Sequence, residues 1–151
     1  MPDKPVVDTS ALIALEKINI VHVLCRLYGE IILPEAVVKE FGSLPIDCYL
    51  IEKVKSPLVK LLVNDLNLGK GEAEVIALAS NMGAATIIDD LKARRIAENM
   101  GLKVTGTIGV LLKAERAGLV DSAYKKGKEL LEKGFYVSDE LLSSLSRFKG
   151  S

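Results

Sequence analysis

Short apolar runs alternate along this chain with segments whose apolar residues recur at helical spacing, and the alternation assigns most of the elements. Val6-Val7 reads as a short strand ending at Asp8. Thr9-Ser10 then offer capping hydroxyls to a helix whose run Ala11 to Leu15 is apolar nearly all round, as a buried helix requires. The helical pattern continues or restarts from Ile20 to Tyr28. After Gly29, Glu30-Ile31-Ile32-Leu33 forms a compact strand pattern closed by Pro34, which opens a short helix ending near Phe41-Gly42. Residues 43–57 carry Pro45 and Pro57 and have no clear period; Ile46 to Lys55 fit one amphipathic helix, and Leu58 to Val63 fit a further strand.

The second half is more regular. Asn67-Leu68-Gly69-Lys70-Gly71 leads into a helix from Glu72 to about Met82, terminated by Gly83. Thr86-Ile87-Ile88 is the next strand and ends in Asp89-Asp90. Lys92 to Met100 is helical up to Gly101, Leu102-Lys103-Val104 is a short strand, and Ile108 to Ala117 is a helix closed by Gly118. From Gly134 the tail adds a strand pattern at Phe135-Tyr136-Val137 and a last short helix. Strands that are apolar throughout, separated by helices, predict an α/β fold: a single-domain α/β/α sandwich with a central parallel sheet covered on both faces by right-handed crossovers.

Composition narrows the chemistry. With 151 residues, 49% of them hydrophobic, the chain has material for one well-covered core. Its 20 basic and 20 acidic side chains cancel, so attraction to a polyanion has to come from local patches. Cys25 and Cys48 lie far apart, outside any CxxC-like spacing, which disfavours a thiolate zinc site and leaves two buried free thiols as the simpler expectation. His22 is the sole histidine, so imidazole-rich zinc sites and Ser-His-Asp or Cys-His catalysis are disfavoured too. Any metal would be held mainly by oxygen. No apolar run reaches membrane-spanning length and no secretory pattern opens the chain, so a cytoplasmic location away from membranes is expected.

Parallel sheets bind ligands beyond the carboxyl ends of their strands, where Asp8 and Asp89-Asp90 fall. Carboxylates gathered there repel one another, and Mg²⁺ or Mn²⁺, which prefer hard oxygen ligands, relieve that repulsion. Taken alone, Asp8 is more simply a helix cap; Thr9 or Ser10 can supply the cap instead and free it for the crevice. Glu72 and Glu74 gain from the helix dipole in a first turn without any further role. Two positions along a helix turn the side chain by about 200°, so only one of them faces a shared site. Glu72, nearer the glycines, is preferred, with Glu74 pairing a basic neighbour or supporting from behind. Asp89 and Asp90 point to opposite sides of an extended chain, one toward a metal and the other toward capping the next helix. Glu40, unfavourable against a helix C-terminus, is more simply a surface residue, yet a misplaced charge is a local cost that a functional site tolerates. Lys70, Arg94 and Arg95 neighbour these acids and suit either neutralising them or receiving phosphate oxygens, with at least one arginine more simply a solvated helix charge, and Gly69-Lys70-Gly71 lacks the full spacing of a nucleotide-binding loop.

In order, Val6-Val7-Asp8-Thr9-Ser10, Ile32-Leu33-Pro34-Glu35-Ala36-Val37-Val38-Lys39-Glu40, Gly69-Lys70-Gly71-Glu72-Ala73-Glu74 and Ile87-Ile88-Asp89-Asp90 with Arg94-Arg95 resemble the PIN-domain nucleases, and most closely their compact prokaryotic branch related to VapC-type toxins. The resemblance spans residues 4 to about 120, leaving 121–151 as a C-terminal extension packing on the core of one domain, 1–151. It implies a Mg²⁺- or Mn²⁺-dependent endoribonuclease, often a homodimer and often held inactive by a cognate antitoxin protein. It carries the acidic positions onto Asp8, Glu40, Glu72 and Asp90, with Asp89 an equal choice for the last. Many relatives have aspartate where this chain has Glu72. A catalytically inactive scaffold that binds RNA or protein is the competing expectation, since fold does not fix activity. An acidic-pocket phosphotransfer protein is a weaker third, because Asp8-Thr9-Ser10 lacks the second aspartate of a DxD nucleophile.

Overall fold

The computed structural model describes residues 4–148, so Met1 to Asp3 and the last three residues of the C-terminal extension lie outside the described residues. Five strands form one sheet: β1 (Val6–Val7), β2 (Ile31–Pro34), β3 (Tyr49–Glu52), β4 (Thr86–Ile87) and β5 (Val104–Thr105). Their order is β3-β2-β1-β4-β5 and every pairing is parallel, with Val6 opposite both Ile32 and Thr86. The helices are α1 (Thr9–Lys17), α2 (Val23–Tyr28), α3 (Glu35–Phe41), α4 (Pro57–Asn64), α5 (Lys70–Met82), α6 (Leu91–Asn99), α7 (Thr107–Arg116), α8 (Ala123–Glu132) and α9 (Asp139–Phe148). The chain is a single α/β domain with helices flanking an all-parallel sheet, as its apolar strands require.

The strand order fixes where a ligand fits. From β1 the chain winds outward through β2 to β3, then returns across the sheet and places β4 on the other side of β1. The winding direction reverses between β1 and β4, and the loops that leave these strands part there to open a crevice. Helix α5, on the return crossover, packs on β1, β2 and β4, so its N-terminus points into the same crevice. It is buried along most of its length, from Ala73 through Ala79. Small residues such as Ala73, Ala77 and Ala79 let it lie close to the sheet.

Three expected elements differ. Leu58 to Val63 is the body of helix α4: Ser56 Oγ accepts a hydrogen bond from the Leu58 N–H at 3.2 Å and Pro57 occupies the first turn, a start signal that outweighs the short apolar run. Ile46 to Lys55 is not a helix. Its Tyr49-Leu50-Ile51 core has β-branched and aromatic character and pairs with β2 from Ile31 opposite Tyr49 to Pro34 opposite Glu52. Phe135-Tyr136-Val137 joins no strand; it is an irregular segment between α8 and α9, anchored by buried Val137 and by the Phe135 N–H on the Leu130 carbonyl at 2.9 Å. Leu130, Val137, Leu142 and Leu145 belong to the hydrophobic core.

The cysteines also depart from expectation. Cys25 and Cys48 form a disulfide with Cα atoms 5.7 Å apart, so they are not free thiols. No spacing signal marks the pair because it is made by the fold: parallel pairing of β2 and β3 carries Cys48 back beside α2.

Candidate metal centre and groove

At the crevice the residues after β1 and β4 meet the N-terminal turn of α5 and the side of α3. They line a groove of about 1320 Å³. Asp8, Thr9, Ser10, Glu40, Lys70, Glu72, Asp89, Asp90, Arg94 and Arg95 all face it, whereas Glu74 does not.

Asp8 occupies the N-cap position of α1 with extended backbone angles, yet its carboxylate makes no capping hydrogen bond. Thr9 and Ser10 do not cap the helix either, contrary to expectation. They lie inside its first turn, where the Ser10 hydroxyl donates to Asp8 Oδ2 and the Thr9 hydroxyl donates to Glu40 Oε1, each at 3.4 Å. Their hydroxyls therefore serve the carboxylates. Asp8 is only 4% exposed. Burial pushes its pKa up to about 6, helped by the nearby charges of Glu72 and Glu40 and opposed by the Thr9 backbone N–H and the Ser10 hydroxyl.

Glu40 reaches the crevice because Gly71 leaves room for it. A Cβ at Gly71 would collide with Glu40 Oε1 and stand 3.7 Å from Asp8 Oδ1, so both carboxylates crowd the space that a side chain would fill. Glu72 uses one oxygen to accept the Gly69 N–H at 3.3 Å, half of a capping box, since glycine has no side chain to return the bond. Its pKa is raised by burial first, then by Asp90 and Glu40, against the lowering effects of the Gly69 N–H and Lys92. Glu74 is buried and accepts the Ala36 N–H at 3.2 Å; among the described residues it pairs with no basic neighbour and instead ties α5 to the first turn of the helix that carries Glu40.

The two aspartates after β4 divide their work. Asp90 caps α6, its Oδ2 accepting the Ala93 N–H at 2.9 Å. Asp89 turns the other way and spends both oxygens on Thr107, accepting its N–H at 2.7 Å and its hydroxyl. Glu40, Glu72 and Asp90 each keep one carboxylate oxygen without a hydrogen-bond donor among the described residues.

Thr107 was not expected. The signal for it was available, since Gly106-Thr107 directly follows β5, the third strand whose carboxyl end borders the crevice. Gly106 permits the approach: a Cβ there would meet Arg94 Nη1 and lie 2.8 Å from Asp89 Oδ1. Lys39 on α3 also lines the groove unanticipated. Lys4–Glu30 and Lys126–Glu129 are the ion pairs among the described residues, so Lys70, Arg94 and Arg95 face the groove without a carboxylate partner.

A family model described as "DUF3368: PIN domain" matches residues 4–150. The chain belongs to the PIN-domain family. No curated protein and no solved structure gave a significant match. PIN domains are nuclease-type folds, which supports a hydrolase at that coarse level; the match reaches past residue 120 and takes in the C-terminal helices as well. As the side chains stand in this PIN domain, no group of three or more His, Cys, Asp or Glu residues among those described is drawn close enough to hold an ion. The donors nevertheless suit one. All are hard carboxylate oxygens, two of the four groups have raised pKa values from burial and mutual repulsion, and Gly71 leaves the space between them free of a side chain.

Proposed function

We propose that this PIN domain is a metal-dependent endoribonuclease in which Asp8, Glu40, Glu72 and Asp90 hold Mg²⁺ or Mn²⁺. The observation that carries the reading is Asp8: a buried carboxylate without a capping bond, beside two other acids, is electrostatically unfavourable until a cation joins it. When bound, the ion supplies a Lewis acid that acidifies water and offsets charge developing on the phosphate. The protein's own groups do the rest. Thr9 and Ser10 fix the rotamers of Glu40 and Asp8, Asp89 locks the β4 loop onto the start of α7, and Glu74 holds α3 in place. Lys70, Arg94 and Arg95 receive the phosphate backbone. Asp90 is favoured over Asp89 as the ligand because Asp89 is committed to Thr107, while Asp90 keeps a free oxygen and bears on Glu72.

The reading extends to a toxin restrained by a cognate antitoxin, to a homodimer and to the cytoplasm. Its support is the sequence resemblance, together with the lack, among the described residues, of any helix long and apolar enough to cross a membrane. The Cys25–Cys48 bond weighs against the last point unless that cytoplasm is oxidising, because disulfides persist in oxidising compartments and are rare where thiol buffers keep cysteines reduced. Titration of Mn²⁺ by calorimetry, with cleavage of a labelled RNA, tests the core claim. Wild type should bind and cut, and Asp8→Asn should do neither. RNA binding with no Mn²⁺ uptake would instead establish the non-cutting scaffold.

A further inference from the structure

The groove does not end at the carboxylates. One stripe of α6, Leu91, Arg94, Arg95 and Glu98, follows the spacing of a single helix face and lines it, and Phe135, Tyr136 and Leu141 line the same groove. Tyr136 is 88% exposed, although its neighbours are fixed: Val137 is 5% exposed in the core and the Phe135 N–H is bonded to Leu130. Leu91 is also exposed, at 69%. An aromatic ring held out on an anchored backbone, in one groove with unpaired guanidinium groups and an acidic pocket, suits a base platform beside a phosphate track. A polynucleotide with paired bases cannot present a ring face there, whereas a single strand can.

Resting on the nuclease reading above, we propose that Tyr136 stacks an unpaired base of single-stranded RNA whose backbone runs along Arg94 and Arg95 to the carboxylates. The tyrosine is a binding residue. It sets how much single strand must flank the cut, and it takes no part in the chemistry. Phe135, half-buried beside it, buttresses the ring's backbone rather than offering a second platform.

The test uses the full chain in EDTA, so that binding is read without cleavage. A single-stranded RNA oligonucleotide carries 2-aminopurine, whose fluorescence is quenched on stacking. Wild type and Tyr136→Phe should quench it and bind alike, while Tyr136→Ala should lose the quench and bind about tenfold more weakly, the usual scale for one stacked base. With Mn²⁺ restored, Tyr136→Ala should raise KM for long single strands and leave kcat unchanged. Because the ring is exposed, its removal does not threaten folding. If Tyr136→Ala binds and quenches as wild type does while wild type still cleaves, the platform is overturned and the nuclease stands, leaving the tyrosine to a protein partner. If wild type neither binds nor cleaves RNA, both proposals fall.

Discussion

The two loops that meet at the crevice treat their acids in opposite ways. After β4, Asp90 gives one oxygen to the Ala93 N–H and keeps the other, while Asp89 commits both to Thr107, so the loop is pinned at two points by the protein itself. After β1, Asp8 stands at a helix N-cap without capping it, is nearly fully buried and has its pKa raised to about 6. One loop is built for rigidity and the other stores unfavourable charge. On the proposed function, the difference teaches where a cation would gain its binding energy: at the β1 loop, against a frame that the β4 loop keeps still.

The largest expected effect comes from neutralising the stored charge. Asp8→Asn should reduce RNA cleavage by more than the roughly 10–100-fold that outer-sphere partners of a metal contribute. The same substitution should stabilise the metal-free protein. A carboxyl whose folded pKa lies above its unfolded value stabilises the fold below the unfolded value, and that contribution is lost as pH rises through about 6. The gain from asparagine should therefore be on the order of 3 kcal/mol at pH 8 and vanish near pH 3. Thermal melts in EDTA at the two pH values measure it, and an Asp8→Asn protein less stable than wild type at pH 8 would break the contrast between the loops.

Next in size is the pH dependence of metal uptake. Since Asp8 must lose its proton to bind, Mn²⁺ affinity should fall about tenfold per pH unit below the point near 6 and level off above it. Calorimetry in two buffers of different ionisation enthalpy should detect the released proton at pH 5.5 and much less of it at pH 8. Gly71→Ala comes third. Its methyl group would displace the mobile end of Glu40, weakening Mn²⁺ binding roughly tenfold while the melting temperature hardly moves, because alanine suits a helix.

The last substitution separates stability from chemistry in the β4 loop. Asp90→Ala should lose a helix cap, about 1 kcal/mol, whereas Asp90→Ser should keep it. Both should lose cleavage. Their melts against their rates separate the capping role of Asp90 from its role toward the metal, and full activity in Asp90→Ser would hand the ligand position to Asp89.

The acids were legible in the sequence because Val6-Val7-Asp8 and Ile87-Ile88-Asp89-Asp90 show a buried strand ending in charge, a pattern that local periodicity records. Glu72 was legible as a helix start. Thr107 was legible only through its place after β5, a short strand with little pattern of its own, and its link to Asp89 across 18 residues was not. The run Leu58 to Val63 misled because its five apolar residues, broken only by Lys60, fit a strand or a helix equally, and only Ser56-Pro57 decides between them. Tyr136 was invisible for a different reason: exposure on an anchored backbone is a property of the packing around it, and composition counts only the ring.

The Cys25–Cys48 bond encloses β2 and α3 entirely, and with them Glu40. One of the four proposed metal-binding side chains thus rides on a covalently closed lasso, while the other three do not. Preparations kept in thiol reductant and preparations kept in air are consequently different reagents, and the handling history of a sample becomes a variable in any measurement of its activity.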